Sequence, residues 1–453
     1  MTALETLSGW CATADASTSS VARVRANLAF KDTIGCIVLG AQSPVVCGLR
    51  AAAQNWGSGP STAIGEARGM PSPVAALING ASAHSFDFDD YDEASQAHAS
   101  AVLVPAILAF AEEIGSSGAE ALDAYIIGLE VIIRIGEAVN MAHYNKGWHT
   151  TATLGIFGAA AACARLYGAD AGEMLAALSI AASYSAGMKV QFGTDAKPLH
   201  AGIAAQNGVT AATLARAGLS GHKDALDGPL GFVSLYAGSD APDFPTGIPK
   251  LGNPLAIEEF GLIIKRFPNC ACLHRALDCF FELKDQHGLT ADMIESVVAN
   301  VPHAYAESIK YTAPDTPAEA RFSMQYGISV AMLQDRVSLA DYTPDAVARP
   351  EVRALYDKVS FKTFSTGASP GVSATQPPEG VGVTTTTGAR LTSESAIVVG
   401  DPRLPLSPDQ LDAKFADCVL TCFDTDKTGA ILTAVADLDK LQQVGVLSEM
   451  LRP

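Results

Sequence analysis

Charged residues make up only 17% of the 453-residue chain, and aromatic residues 7%. Positive charge is the scarcer sign, with 30 Lys and Arg against 48 Asp and Glu, for a formal net charge of −18. That surplus leaves no electrostatic footprint for a phosphate backbone or an anionic lipid surface, so neither nucleic acid nor membrane is expected as a partner. The longest apolar runs, Ala101–Ala111 and Thr151–Ala164, are too short to span a bilayer. The N-terminal stretch lacks the basic-then-apolar order of a secretory leader. Nine cysteines, an odd number without framework spacing, point to free buried thiols in a reducing compartment, and a soluble cytoplasmic protein is expected.

Several motifs are absent as well. There is no G-x-G-x-x-G after a strand, no P-loop, no H-E-x-x-H and no G-x-S-x-G elbow, so nucleotide, zincin and serine-hydrolase chemistry lose their usual support. Asp424-x-Asp426-x-x-Gly429 imitates the start of a calcium loop, but Val435 stands where the bidentate Glu is needed. Cys270, Cys272 and Cys279 lack the pair spacing of a structural zinc site. No metal is expected.

What the chain has is small apolar residues at helical spacing. Ala, Leu and Ile recur at three- and four-residue steps through Val21–Leu39, Val74–Ala83, Ala101–Ile114, Ala119–Ala138, Thr153–Tyr167 and Ala169–Ser185. Faces made of Ala, Gly and Ser let such helices approach closely. Asp243–Pro254 is Pro/Gly-rich and a candidate boundary. Beyond it, a helix around Cys270–Lys284, strands at Ile294–Val301 and Val381–Thr387, and a loop over Thr363–Gly380 are predicted. Asp409–Val419 reads as an amphipathic helix capped by Ser407, and the tail from Gly429 as helical. The fold class expected is a mainly α large domain, a helical bundle of residues 1–265 and 402–453, with a smaller inserted α+β lid domain of residues 266–401.

Five stretches concentrate the chemistry. Asn79–Glu93 with His98 carries His84 and a run of acids, Asp87, Asp89, Asp90, Asp92 and Glu93, whose composition alone reads as a solvated turn. His149 follows Gly147-Trp148 and precedes a helix, where the backbone N–H groups favour an anion and lower an imidazole's pKa. Lys197, held before Pro198 near Lys189 and His200, suits a tuned base or an anion clamp. Lys265–Arg275 holds Cys270 and His274 in a basic patch, and Ala320–Tyr326 holds Arg321 and Tyr326. Together these groups suit a substrate with several carboxylates and a proton to be removed beside one.

In order, Asn79-Gly-x-x-x-His84-x-x-Asp87-Phe-Asp89-Asp90, Gly147-Trp-His149-x-Thr151, Lys197-Pro-Leu-His200-x-Gly202 and Phe267-Pro-x-Cys270-x-x-x-His274 resemble the 2-methylcitrate dehydratase family, MmgE/PrpD. The resemblance runs over nearly the whole chain, the Lys414-Phe415 helix included. It implies a homodimer, no cofactor, and an active site between helical domain and lid. It also implies a lyase acting on a di- or tricarboxylate: first a 2-methylcitrate dehydratase-like dehydratase, then a cis-aconitate decarboxylase-like decarboxylase or an iminodisuccinate epimerase-like isomerase. Carried over by position, Asp87, His98, His149, Lys197, His274 and Tyr326 match the pocket residues of the decarboxylase branch. His84, Tyr91, Lys189, His200, Cys270 and Arg321 stand beside them as substrate-binding candidates. Two positions depart: His98-Ala-Ser100 replaces the family's His-Pro, and Tyr91 stands where the decarboxylase has Thr. A non-catalytic helical binding protein is the alternative from another class.

Overall fold

The computed structural model describes residues 1–16, 19–238, 248–365 and 378–453. Long helices dominate the first half: Ser20–Gly40, Ser72–His84, Ser100–Ile114, Gly118–Asn145, Thr150–Leu166, Ala171–Tyr184 and Ala196–Arg216. Three of these starts carry a side-chain cap, at Ser19, Ser117 and Asp170. Ser117 with Glu120 and Asp170 with Glu173 form reciprocal capping boxes, while Gly115 and Gly168 supply left-handed stops. Glycine and alanine faces let the helices nest. A Cβ on Gly80 would lie 2.8 Å from the Gly202 Cα, and one on Gly202 would lie 2.3 Å from the Leu77 carbonyl. This crossing brings the C-terminal end of Ser72–His84 beside the first turn of Ala196–Arg216, which carries Lys197 and His200. Gly202→Ala is therefore expected to destabilise the fold by about 1–3 kcal/mol through overpacking, measured as a lowered urea midpoint. No change in midpoint would mean that the two helices separate freely.

The chain continues from this packed body into a second core. One hydrophobic cluster gathers residues 3–262 and 415–451, and another gathers Phe192 with residues 267–383. The second contains a four-stranded mixed sheet of order β2-β1-β3-β4. β1 is Ile294–Pro302, β2 Val359–Phe364, β3 Glu379–Thr385 and β4 Arg390–Ser395. β1 runs parallel to β2, with Val297 opposite Val359, and antiparallel to β3, with Val297 opposite Val383. Val297, Ala299, Val301, Val381 and Val383 are buried, which is why β1 and β3 read as strands in the sequence.

Several expectations shift. The helix predicted at Cys270 starts at His274, after the short 3₁₀ turn Ala271–Leu273. Residues 243–247 and 366–377 lie outside the described residues, so the boundary and loop read there are described only at their edges. Leu251, Leu255 and Leu262 still pack on the first cluster, which puts the crossing to the second core between 262 and 267. Asp424 caps the helix Thr425–Ala436 by accepting from the Lys427 N–H. Among the described residues no single helix is long and apolar enough to cross a membrane. The bent pair Ser20–Gly40 and Pro44–Ala53 passes that test jointly, but it is broken by 79°.

Candidate active site

The acidic stretch that reads as a solvated turn is buried: Asp87, Asp89, Asp90 and Asp92 are each 3% exposed or less. Burying so many carboxylates requires partners, and each has its own. Ser100 Oγ donates to Asp90 at 2.6 Å, and the Ser95 backbone N–H donates to Asp92 at 2.6 Å. Burial pushes Asp92 up to about 6 even so. Asp89 accepts from His84 Nδ1 at 2.8 Å and lies 3.1 Å from His98 Nδ1. Arg275 bridges Glu93 to Glu379 of β3, tying the turn to the sheet. From the far end of the chain, Lys414 pairs with Asp32 at 2.6 Å and donates to the Phe88 carbonyl at 2.7 Å.

Asp87 is the centre. Its φ of +52° places it in the left-handed region that Asp tolerates better than most residues, and among the described residues Gln96 at +54° is the other non-glycine there. Lys197 Nζ donates to Asp87 Oδ2 at 2.9 Å, and Lys265 Nζ donates to Oδ1 and, at 2.8 Å, to the Asp87 carbonyl. Burial opposes ionisation of Asp87, but the two ammonium groups outweigh it and hold the carboxyl well below its usual range. Lys197 is itself buried in the first turn of its helix.

Imidazoles surround this ion pair. His149 is the N-cap residue of Thr150–Leu166, and its Nδ1 lies 3.0 Å from His200 Nδ1, so one ring donates and the other accepts. The His84 ring stacks on His149 at 5.7 Å and meets His98 edge-on at 4.5 Å. Burial, reinforced by neighbouring positive groups, pushes His149 well below the ordinary imidazole value, and burial takes His84 and His200 to about 4. A neutral imidazole therefore stands beside a paired ammonium, the combination that proton transfer next to a carboxylate requires.

An inner cavity of about 50 Å³ is lined by Asp87, Tyr91, His98, His149, Lys197 and Cys270, together with Gln96, Tyr144 and Phe322. The other candidates are placed differently. Lys189 lies over the Tyr144 ring at 3.6 Å and lines a separate surface cavity. Arg321 faces a larger outer cavity. His274 and Tyr326 line neither the inner nor the outer cavity, so direct contact with a ligand there is not met. His274 is packed edge-on to Phe267 at 5.2 Å in the second core. The Tyr326 hydroxyl donates to the Asp341 carbonyl, because its helix, Met324–Leu333, is buried along almost its whole length. The sequence reading missed Lys265 as a site residue. Its signal is a lysine in a basic patch of an otherwise acidic chain.

His84, Asp87, Asp89 and His98 offer ligand atoms within 4.8 Å of one another, a donor set able to hold a divalent cation. Both Asp87 oxygens are already taken by Lys197 and Lys265, so a cation would have to displace an ammonium and sit beside another. The donor set fits an ion poorly.

Residues 5–245 match the MmgE/PrpD N-terminal domain, and residues 267–440 match the MmgE/PrpD C-terminal domain. The chain belongs to the MmgE/PrpD family. Two similar relatives are cis-aconitate decarboxylases, of Homo sapiens and Mus musculus. Each is 28% identical over 84% of this chain, covering 80% and 79% of the relative's length respectively. A third, the cis-aconitate decarboxylase-like protein oryM of Aspergillus oryzae, is 31% identical over 47% of this chain and 46% of its own. Family and relatives support an activity of the lyase type for this MmgE/PrpD chain.

Proposed function

We propose that the chain is a cofactor-independent lyase acting on a di- or tricarboxylate at a carbon next to a carboxylate. The observation that carries this reading is the buried Asp87 carboxylate clamped between Lys197 and Lys265 beside the neutral His149. A substrate carboxylate entering the inner cavity meets Lys197, and charge that develops on it as the adjacent bond breaks is stabilised by fixed cations away from water. Asp87 keeps those cations in place, and the proton is taken by neutral His149 or His98, or given by the Lys197 ammonium.

Decarboxylation of a cis-aconitate-like tricarboxylate is favoured by the named relatives. In it the C–C bond to the departing carbon dioxide breaks, its electron pair enters the conjugated carboxylate system, and the Lys197 ammonium, which lines the cavity, delivers a proton to carbon. Dehydration of a 2-methylcitrate-like substrate is the second reading, favoured by Tyr91, which lines the cavity where the decarboxylase resemblance calls for Thr. There the imidazole base takes a proton from carbon, the C–O bond breaks, and the hydroxide leaves as water with a proton from the Lys197 ammonium. Pairing of two copies and residence in the cytoplasm belong to the same reading and rest on resemblance and composition alone.

Proton NMR of cis-aconitate, 2-methylcitrate and iminodisuccinate with the protein in deuterated water tests the proposal. Carbon dioxide release marks decarboxylation, a new alkene from 2-methylcitrate marks dehydration, and deuterium exchange without net turnover marks epimerisation. All three spectra unchanged over hours at high protein concentration would contradict the enzyme reading. The depressed imidazoles also set a pH dependence. In the dehydration reading the base must be neutral to act, and burial keeps His149 neutral below the ordinary imidazole value of 6.5. The acid limb of the kcat/KM profile, which reports the free enzyme, is thus expected below pH 6.5. A limb at or above 6.5 would show that the acting imidazole is not a buried one.

A further inference from the structure

The inner cavity holds about 50 Å³, on the order of four water-sized spheres, which is too little for a whole tricarboxylate. Beyond the Asp87–Lys197 pair lies a cavity of about 360 Å³ that shares Asp87, Lys197 and Phe322 with the inner one. Arg321 stands in its wall. The residue is 9% exposed, and its guanidinium lies 4.8 Å from the centre of the Phe86 ring and 5.8 Å from that of Tyr342. Its Nε has no hydrogen-bond partner, and among the described residues no carboxylate lies within ion-pair distance of it. The carboxylate whose charge acts on it, Asp87, is already held by two lysines. A buried guanidinium without an anion is costly to keep. The cost is offset if an anion arrives, and a guanidinium fork matches a carboxylate in a bidentate fashion.

We propose that the outer cavity is the subsite for a second carboxylate of the substrate, with Arg321 as its anchor and the residue that selects polycarboxylates over monocarboxylates. The proposal rests on the lyase reading above, and deepens it by dividing the substrate between two cavities that meet at Lys197. One carboxylate lies at the reacting end, and the other is held by Arg321 at the open end.

Isothermal titration of the full chain with tricarballylate, crotonate and inorganic phosphate tests this, using the parent, Arg321→Gln and Arg321→Lys. Arg321→Gln is expected to weaken tricarballylate about 10- to 100-fold, the loss of one charge-assisted contact, and to leave crotonate within twofold. Arg321→Lys should recover part of the loss, with melting temperatures showing that both variants fold. Equal weakening of tricarballylate and crotonate, or none, would overturn the subsite. So would loss of phosphate affinity with tricarballylate unchanged, which would mark a separate anion site. If the parent binds no tricarballylate at all, the lyase reading fails and the subsite with it. An effect missing only in Arg321→Gln overturns the subsite alone.

Discussion

Lys197→Met is expected to lower kcat/KM by about three orders of magnitude while the protein remains folded. The size follows from removing a preorganised cation at the carbon where charge develops, typically worth 10²- to 10³-fold, together with misplacement of the carboxylate it holds. The fold should survive because Lys265 still neutralises Asp87, through Oδ1 and the Asp87 carbonyl. Lys197→Arg is not a conservative control, since a planar guanidinium cannot take the position of a point-like ammonium between Asp87 Oδ2 and the rings of Phe192 and Phe322, 5.3 and 5.0 Å away. It should recover little. Steady-state kinetics on whichever polycarboxylate turns over, alongside a melting curve, decide the point. Retention of more than a tenth of parent kcat/KM would remove Lys197 from the mechanism.

The largest stability effect is expected away from the cavity. Lys414→Met should cost about 3–5 kcal/mol, because it strips from a buried Asp32 its ion-pair partner among the described residues, and from the Phe88 carbonyl a donor. Burial already raises Asp32 above its usual value, with Lys414 partly offsetting it, and burial together with Asp32 raises the neighbouring Asp90 well above its own. Without the lysine these acids face one another in a dry site. Adding Asp32→Asn to Lys414→Met should restore a large part of the loss, and the double-mutant cycle from urea unfolding isolates the pair. A single-variant loss below about 1 kcal/mol would mean that the helix Pro408–Val419, which carries Lys414, does not brace the acidic turn.

How much of this could be read in the sequence depended on how local the signal was. The helices of the first half were legible because small apolar residues recur at helical spacing and caps such as Asp170 with Glu173 mark their ends. β2 and β4 were not. Arg390–Ser395 is a polar edge strand whose side chains are half-buried at most, so it carries no apolar alternation. Asp87, His98, His149 and Lys197 were found because their motifs are compact, and the structure gathers them around one cavity. The burial of the acidic run was illegible, since the compensating cations Lys265, Arg275 and Lys414 arrive from as far as 326 residues away. Tyr326 and His274 were attractive by resemblance, yet the Tyr326 side chain belongs to the second core and His274 is fully buried against Phe267 of that core, a packing fact that no local pattern records. Dehydration came first by resemblance, while the named relatives move the weight to decarboxylation without deciding the substrate.

The most direct test of the central claim is a crystal structure of the protein grown with tricarballylate, a polycarboxylate that lacks the alkene and hydroxyl on which the two readings act. The account predicts density for the ligand between the helical body and the sheet-bearing core, with one carboxylate within hydrogen-bonding distance of Lys197 Nζ and beside His149. A ligand bound elsewhere, with the Asp87–Lys197 pair sealed from it, would contradict the account.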